Sequence, residues 1–361
     1  MILIAEAQSS GHRLVFVRLM MEYLSEIGED YYLVAPSAVF ASEEYREHIS
    51  SRLGGVDGVD VAPELWGPRV VYGVAREIGA SRILVLDGEP FARLLMRTPW
   101  LWGRVPLTLL VIHDPEWERS DAGRLPIRAL VKSLALKGLN ESFFSEVSVK
   151  ALAAASSDTG SFNSVADPII IERDLVEIRA DAAKFRKTVG MSEGVQWVGI
   201  VGVISPYKNL NLLVDALIDV SSKDNPVGLA LLGPISEGFH SEIELQRARL
   251  RERGIPSIID DAQRSNDQVN VDVAALDVVS VLYSVNCTNS TMAKAAALGV
   301  RTIAAGPPGF RRIYGETTGL KAAPLDRGLV ALLLAETLER PYCGQTITPQ
   351  PHRFGPQVLG R

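Results

Sequence analysis

The chain has 361 residues, more than a single hydrophobic core usually supports, so it is read as two domains. Apolar residues make up 47% and charged residues 22%, an ordinary globular balance, and the sparse aromatics (7%) suit packed helices and buried parallel strands better than an all-β sandwich. The net charge of −6 excludes a general nucleic-acid binder, which needs basic surface and counterion release, and leaves room for one local phosphate site.

Cys287 and Cys343 make no disulfide framework and no Cys-x-x-Cys, a pattern that fits a reducing cytoplasm. Met1 to Ala5 is apolar but short, has no basic region before it and meets Glu6 at once, unlike a signal peptide. No run approaches the ~20 apolar residues of a membrane span. The stretch 124–137, RLPIRALVKSLALK, supports two readings. It is an ordinary amphipathic domain helix, or a surface that rests on anionic lipid and holds the protein at the inner membrane face.

In chain order, Ile2 to Ala7 reads as a strand, followed by the polar loop Gln8 to His12 and a helix from Arg13 to Ile27 with Leu14, Val17, Leu24 and Ile27 at helical spacing. Tyr31 to Ala35 is a strand stopped by Pro36, and Val70 to Ile78 a helix. Arg82 to Leu86 is a strand ending in Asp87-Gly88-Glu89-Pro90, and Leu107 to Ile112 a strand ending in His113-Asp114-Pro115. Phe143-Phe144 and Val147 to Ala154 suit a further strand and helix. Ser156 to Ser164, rich in Ser, Gly, Asp and Asn, is a hinge candidate, and Asp174 to Val189 a charged connecting helix.

The rhythm then restarts. Trp197 to Val201 is a strand, Leu210 to Val220 a helix, Val227 to Leu232 a strand, and Glu242 to Arg253 an exposed helix. Val278 to Leu282 is a strand, Thr291 to Leu298 a helix, Arg301 to Ala304 a strand, and Leu329 to Leu338 a helix. The tail after Pro341 reads as extended. Strands alternating with helices imply right-handed βαβ units and parallel sheets, covered on both faces. The expected domains are residues 1–165 and 166–340, with 341–361 able to cross back to the first.

Ligands of open parallel sheets sit beyond the carboxyl ends of the strands, so the loops there are the candidate site. Ser10, Gly11 and His12 open the first helix, where unpaired N–H groups and the helix dipole favour an anion; a simple N-cap is the other reading. Lys208 follows Gly202-Val203-Ile204-Ser205-Pro206-Tyr207 and directly precedes a helix, where an ammonium is disfavoured unless a phosphate shares the site. Ser290 and Thr291 start another helix, a second anion site, and Lys294 lies one turn into it. His113 ends a strand and is a candidate polar contact or proton donor, or else a hydrogen-bonded turn residue. Asp87 and Glu89 lie in the facing loop. Gly306 to Arg312 reads as a stiff loop that carries Arg311 towards a phosphate or carboxylate. His48, His240 and His352 are expected on helix or tail surfaces, and no clustered Cys or His argues for zinc.

Asp167-Pro168, then Trp197 to Gly202 with Lys208-Asn209, then Asp277 before its strand, then Ala295 to Ala304 resemble the C-terminal domain of family 4 glycosyltransferases. Ser10-Gly11-His12-Arg13 resembles the N-terminal loop of some members. The resemblance implies a GT-B fold of two Rossmann-like domains facing across a cleft. It implies a nucleotide-sugar donor held mainly by the second domain, transfer with retention, and no cofactor or obligatory metal. Lys208 matches the lysine that neutralises the donor diphosphate, and His113 loosely matches a histidine that contacts the donor sugar. Gly202, Ser290, Thr291, Lys294 and Arg311 fall on the donor side. Ser10, Gly11, His12, Asp87 and Glu89 fall on the side of a glycan, lipid-linked or small-molecule acceptor. The sequence departs from the family at Val203, where an arginine is usual, and at Asn286 and Lys294, where two glutamates are usual. A lysine cannot accept hydrogen bonds from ribose hydroxyls as a glutamate does. The missing glutamates support one rival, a non-catalytic relative that binds a sugar or nucleotide or supports a partner transferase; a nucleotide-sugar epimerase of the same fold is a second, and it would want more acid/base carboxylates in the cleft than the sequence offers.

Overall fold

The computed structural model describes the chain except residues 9–12, 102–103, 113–114, 119–125, 142–145, 154–161, 287–289, 319, 341–346 and 361, and the side chains of 101, 116–117 and 316–317. Strand β1 (Ile2–Ala5) leads to helix α1 (Arg13–Glu26) and strand β2 (Tyr31–Pro36). Short helical turns over 37–53 precede β3 (Gly58–Val61), α2 (Pro68–Glu77), β4 (Arg82–Val85), α3 (Gly88–Leu95), β5 (Leu107–Val111), α4 (Ile127–Glu141), β6 (Val147–Ala153) and β7 (Asn163–Ala166). Helix α5 (Leu175–Val189) connects to β8 (Gln196–Val201), α6 (Leu210–Val220), β9 (Val227–Leu232), α7 (His240–Glu252), β10 (Ser257–Asp260) and α8 (Asn266–Ala274). Then come β11 (Val278–Leu282), α9 (Ser290–Leu298), β12 (Arg301–Ala305), α10 (Pro308–Thr318), α11 (Arg327–Glu339) and α12 (Phe354–Leu359).

The strands form two wholly parallel sheets, ordered β3-β2-β1-β4-β5-β6-β7 and β10-β9-β8-β11-β12. In each, the first strand lies third in the order and the direction of winding reverses beside it, which leaves a crevice at the carboxyl ends of β1 and β4 and of β8 and β11. Alternation sorts the side chains: Leu3 and Ala5 of β1 join one buried cluster, Ile2 and Ile4 the opposite one. Val198 and Ile200 of β8 likewise face away from Trp197 and Val201. Both faces of both sheets are covered by helices, which is why the central strands are continuous apolar runs.

Several expectations are corrected. Val147 to Ala153 is a strand, not a helix, paired to β5 through Leu109↔Val149 and to β7 through Leu152↔Val165. Asn163 and Ser164, expected at the end of a hinge, open the edge strand β7. Residues 308–318, expected to begin in a stiff loop, form α10, because Pro308 stands at the first helical position where its missing N–H costs nothing. The tail is not extended throughout. Helix α12 packs on α1 and β7, with Phe354 5.0 Å from Phe16 and the Gln357 side chain accepting from Ala166 N at 2.8 Å. The proposed strand at Phe143-Phe144 lies outside the described residues.

Candidate functional site

At the crevice of the second sheet, β8 ends in Gly202, whose φ of 78° suits glycine, and the chain turns towards a 3-10 turn at Pro206–Lys208. Lys208 is buried, and its Nζ donates to the carbonyl of Val201 at 2.7 Å. The ammonium therefore points back at the carboxyl end of β8 rather than standing free before α6. Asn209 follows with a left-handed φ of 49°, and its Nδ2 donates to Leu282 O at 3.0 Å. Ser284 N donates to Tyr207 O at 2.9 Å. The loops after β8 and β11 are thus tied across the switch point, and this holds Lys208 there.

An aromatic row backs the same edge. Tyr207 meets Tyr283 edge-on at 5.4 Å, Tyr283 stacks on Phe310 at 5.4 Å, and Phe310 lies 6.5 Å from Tyr314. Asn286 Oδ1 accepts from Phe310 N at 2.7 Å, pinning the start of α10 to the loop after β11. Arg311 follows on α10, half-buried.

Ser290 and Thr291 begin α9, the first exposed and the second buried. Lys294, one turn later, is buried, and its Nζ donates to Asn266 Oδ1 at 2.5 Å. Burial pushes its pKa down to about 8, opposed by the charges of Asp267, Asp167 and Glu172. Burial pushes the Asp167 carboxyl up to about 7 against the pull of Lys294. Asn266 also donates to Ile170 O at 3.3 Å, so this lysine knits α8, α9 and the connecting segment together. Val203 is half exposed at 50%.

At the crevice of the first sheet, Glu6 directly follows β1 and is fully buried. Its Oε1 accepts from Gln8 N at 2.8 Å, while Oε2 has no hydrogen-bond partner among the described residues. Burial pushes its pKa up to about 7; Asp87 adds to the rise, and Gln8 N–H and Arg13 oppose it. Asp87 is buried and pairs with Arg13 Nε at 3.1 Å. Glu89 accepts from Ile112 N at 3.3 Å and lies 3.4 Å from Lys132 Nζ. Glu6 was missed from sequence as a site residue: a carboxylate after a strand reads as mere polarity until Arg13 and Asp87 fold around it. Ser10, Gly11, His12 and His113 lie outside the described residues.

Between the sheets lies a polar cavity of about 700 Å³. Its walls include Glu47 and His48 from the first half, and Arg264, Asn266, Ser290 and Lys294 from the second. Arg264 pairs with Asp260 at 2.7 Å and Asp272 at 2.6 Å. His48, expected on a surface, is buried here, and burial lowers its pKa. Lys208 is not on this cavity's wall. Beside it, Glu172 of the connecting segment is held by Arg18 and by Arg52 at 2.6 Å.

No protein-family profile matches the chain. No curated protein matches it in sequence. Solved structures do match over its full length. The HepE protein of Anabaena in complex with UDP and glucose superposes with a TM-score of 0.64 at 14% identity, covering 100% of this chain and 97% of that one. WaaG, a glycosyltransferase involved in lipopolysaccharide biosynthesis, gives 0.62 at 12%, covering 100% and 94%. The fold is GT-B. Sucrose-phosphate synthase from Thermosynechococcus elongatus, at 0.63 and 14% identity, covering 100% and 94%, shares it. At such identities the likeness is one of fold, and the GT-B frame puts the crevices of the two sheets in one cleft.

Proposed function

We propose that this chain is a glycosyltransferase that moves a sugar from a nucleotide-sugar donor to a glycan, lipid-linked or small-molecule acceptor, with retention and without an obligatory metal. The observation that carries the reading is Lys208, a buried ammonium fixed at the switch point of the second sheet of a GT-B fold. The structure of HepE in complex with UDP-glucose, with a TM-score of 0.64, adds support.

In this reading the bond from the anomeric carbon to the diphosphate breaks, and negative charge grows on the leaving oxygen. Lys208 meets that charge in a site of low polarity, where a fixed cation acts more strongly than in water. The N–H groups at the start of α9 (Ser290 and Thr291) and the Arg311 guanidinium supply further donors. His113 contacts the donor sugar, Gly11 admits the ligand, and Ser10, His12, Asp87 and Glu89 serve the acceptor side. The protein works in the cytoplasm, where nucleotide sugars are available.

One observation favours a second reading, a non-catalytic relative that binds a nucleotide or sugar. Both positions that carry glutamates in the resembled family are otherwise engaged here, Asn286 by Phe310 N and Lys294 by Asn266. Donor hydrolysis and transfer, measured for the wild type and Lys208→Ala, separate the two. Turnover that Lys208→Ala removes supports the transferase. Nucleotide binding without turnover on any acceptor supports the binder. Absence of nucleotide binding rejects both.

A further inference from the structure

The cavity between the two sheets, of about 700 Å³, falls within the usual range for small-molecule sites, about 300–1,000 Å³. Its charges have one prevailing sign. Glu43, Glu44, Glu47 and Asp260 stand on its wall against Arg264 and Lys294, which leaves two negative charges in excess. The two cations are already answered. Arg264 lies 2.7 Å from Asp260 and 2.6 Å from Asp272, and Lys294 Nζ donates to Asn266 Oδ1 at 2.5 Å. Glu43, Glu44 and Glu47 have no ion-pair partner among the described residues.

This wall is more than a solvated acidic face. Glu43 and Glu47 are four residues apart and Glu44 and Glu47 three apart, within the helical turns over 43–53, so like charges stand side by side at a cost to the free protein. Next to them is His48, only 8% exposed, which lines the cavity and whose ring makes no hydrogen bond among the described residues. Burial, with help from Arg18 and Arg52, outweighs Glu47 and Glu172 and lowers its pKa, so at neutral pH the ring offers a lone pair as well as an N–H. Arg18 and Arg52 are themselves held by Glu172. A buried polar ring without a partner is costly unless something in the cavity pairs with it. The second half adds Gln263 and Ser290, which suit hydroxyls, and Phe185, whose ring face suits a cation.

We propose that this cavity binds an amino sugar, a sugar that carries a primary ammonium. The ammonium meets Glu44, Glu47 and the His48 ring, and the hydroxyls meet Gln263 and Ser290. The negative wall disfavours a diphosphate, which is left to Lys208, outside this cavity. Ser290 stands at the start of α9, the end that the transferase reading gives to the diphosphate, so in that reading the bound amino sugar lies next to the donor. The binding itself does not rest on the transferase reading, because it is measured without nucleotide and without turnover.

The test is calorimetry on the full chain with glucosamine, glucose, N-acetylglucosamine and ethylamine, with UDP measured alongside. The expected result is glucosamine bound at least about tenfold more tightly than glucose or N-acetylglucosamine, which lack the charge, and than ethylamine, which lacks the hydroxyls. Glu44→Gln with Glu47→Gln weakens glucosamine binding by more than about tenfold. The same pair does not lower the urea midpoint of the free protein, since it removes like charges, and this separates lost binding from lost folding. His48→Phe, which keeps a buried ring without its nitrogens, weakens binding about tenfold. Equal binding of glucosamine and glucose overturns the proposal, as does no binding of glucosamine, or binding that both variants leave within about threefold of wild type. A UDP affinity that falls with the glutamate pair also overturns it and assigns the wall to the nucleotide.

Discussion

Replacing Lys208 by Met separates what this lysine does for the fold from what it does for a ligand. The substitution keeps the unbranched stem and removes the ammonium. In the free protein it deletes a charged hydrogen bond to Val201 O, a contribution of about 1.5–3 kcal/mol. It also removes the cost of holding an ammonium in a buried site, which is of opposite sign and similar size. The two nearly cancel, so the urea midpoint of the free protein moves little. A bound diphosphate has no such compensation. Removing one partner of a buried, hydrogen-bonded charge pair costs about 2–5 kcal/mol, or roughly 30-fold to several thousand-fold in affinity. The assay is a thermal-shift panel of nucleoside diphosphates followed by calorimetry on those that bind. At a hundredfold excess over Kd the wild type gains about 2.7 kcal/mol of apparent stability. Lys208→Met at the same concentration gains about 0.9 kcal/mol at a 30-fold loss and almost none at a thousand-fold one. The reasoning is refuted if Lys208→Met binds the same nucleotide within about threefold of wild type.

Other outcomes follow from the same contacts. Glu6 has a folded pKa of about 7 against an ordinary 4.5, so its contribution is fully present below pH 4.5 and is lost as pH rises towards 7. That gap corresponds to about 3 kcal/mol, and Glu6→Gln should flatten the fall in urea stability between pH 5 and 8; an unchanged slope would assign the fall to other groups. Lys294→Glu restores the residue type usual in the resembled family yet places a carboxylate beside Asp267, Asp167 and Glu172. It should lower stability by about 3 kcal/mol or more in urea, and a variant as stable as wild type would contradict the buried-cluster account. Asp277 Oδ2 accepts from Trp197 N at 2.7 Å and Arg186 Nη1 at 3.2 Å. Asp277→Ala therefore costs about 2 kcal/mol by the same measurement.

The strands that the sequence revealed and those it hid differ in place. β1, β4, β5, β8, β9 and β11 are interior, buried on both faces, and stand out as apolar runs. Interior β6 was read as a helix and the edge strand β12 was legible, but the others that escaped, β3, β7 and β10, are all edge strands. Their sequences, Gly-Val-Asp-Val, Asn-Ser-Val-Ala and Ser-Ile-Ile-Asp, are half exposed and need only one neighbour, so no long apolar run marks them. Helix α8 was hidden for another reason. Val269, Val271 and Val273 recur every second residue, as in a strand, and only the Ser265 cap on Gln268 N betrays the helix. At the site, Lys208 was legible because a strand–glycine–lysine–helix series is local. Glu6, His48 and the bonding of Lys294 were not, because their partners lie far away in the chain.

The chain passes between its two halves twice. It leaves the first sheet through residues 167–174, and after α11, which packs under the second sheet, it returns so that α12 can settle on α1. A panel fixed to its frame at two points turns about the line that joins them, and other motions strain one fastening or the other. Any opening of this cleft is in that sense a swing rather than a drift. Arg18 and Arg52 both hold Glu172 at one of the two fastenings, so a swing would have to carry or break these ion pairs.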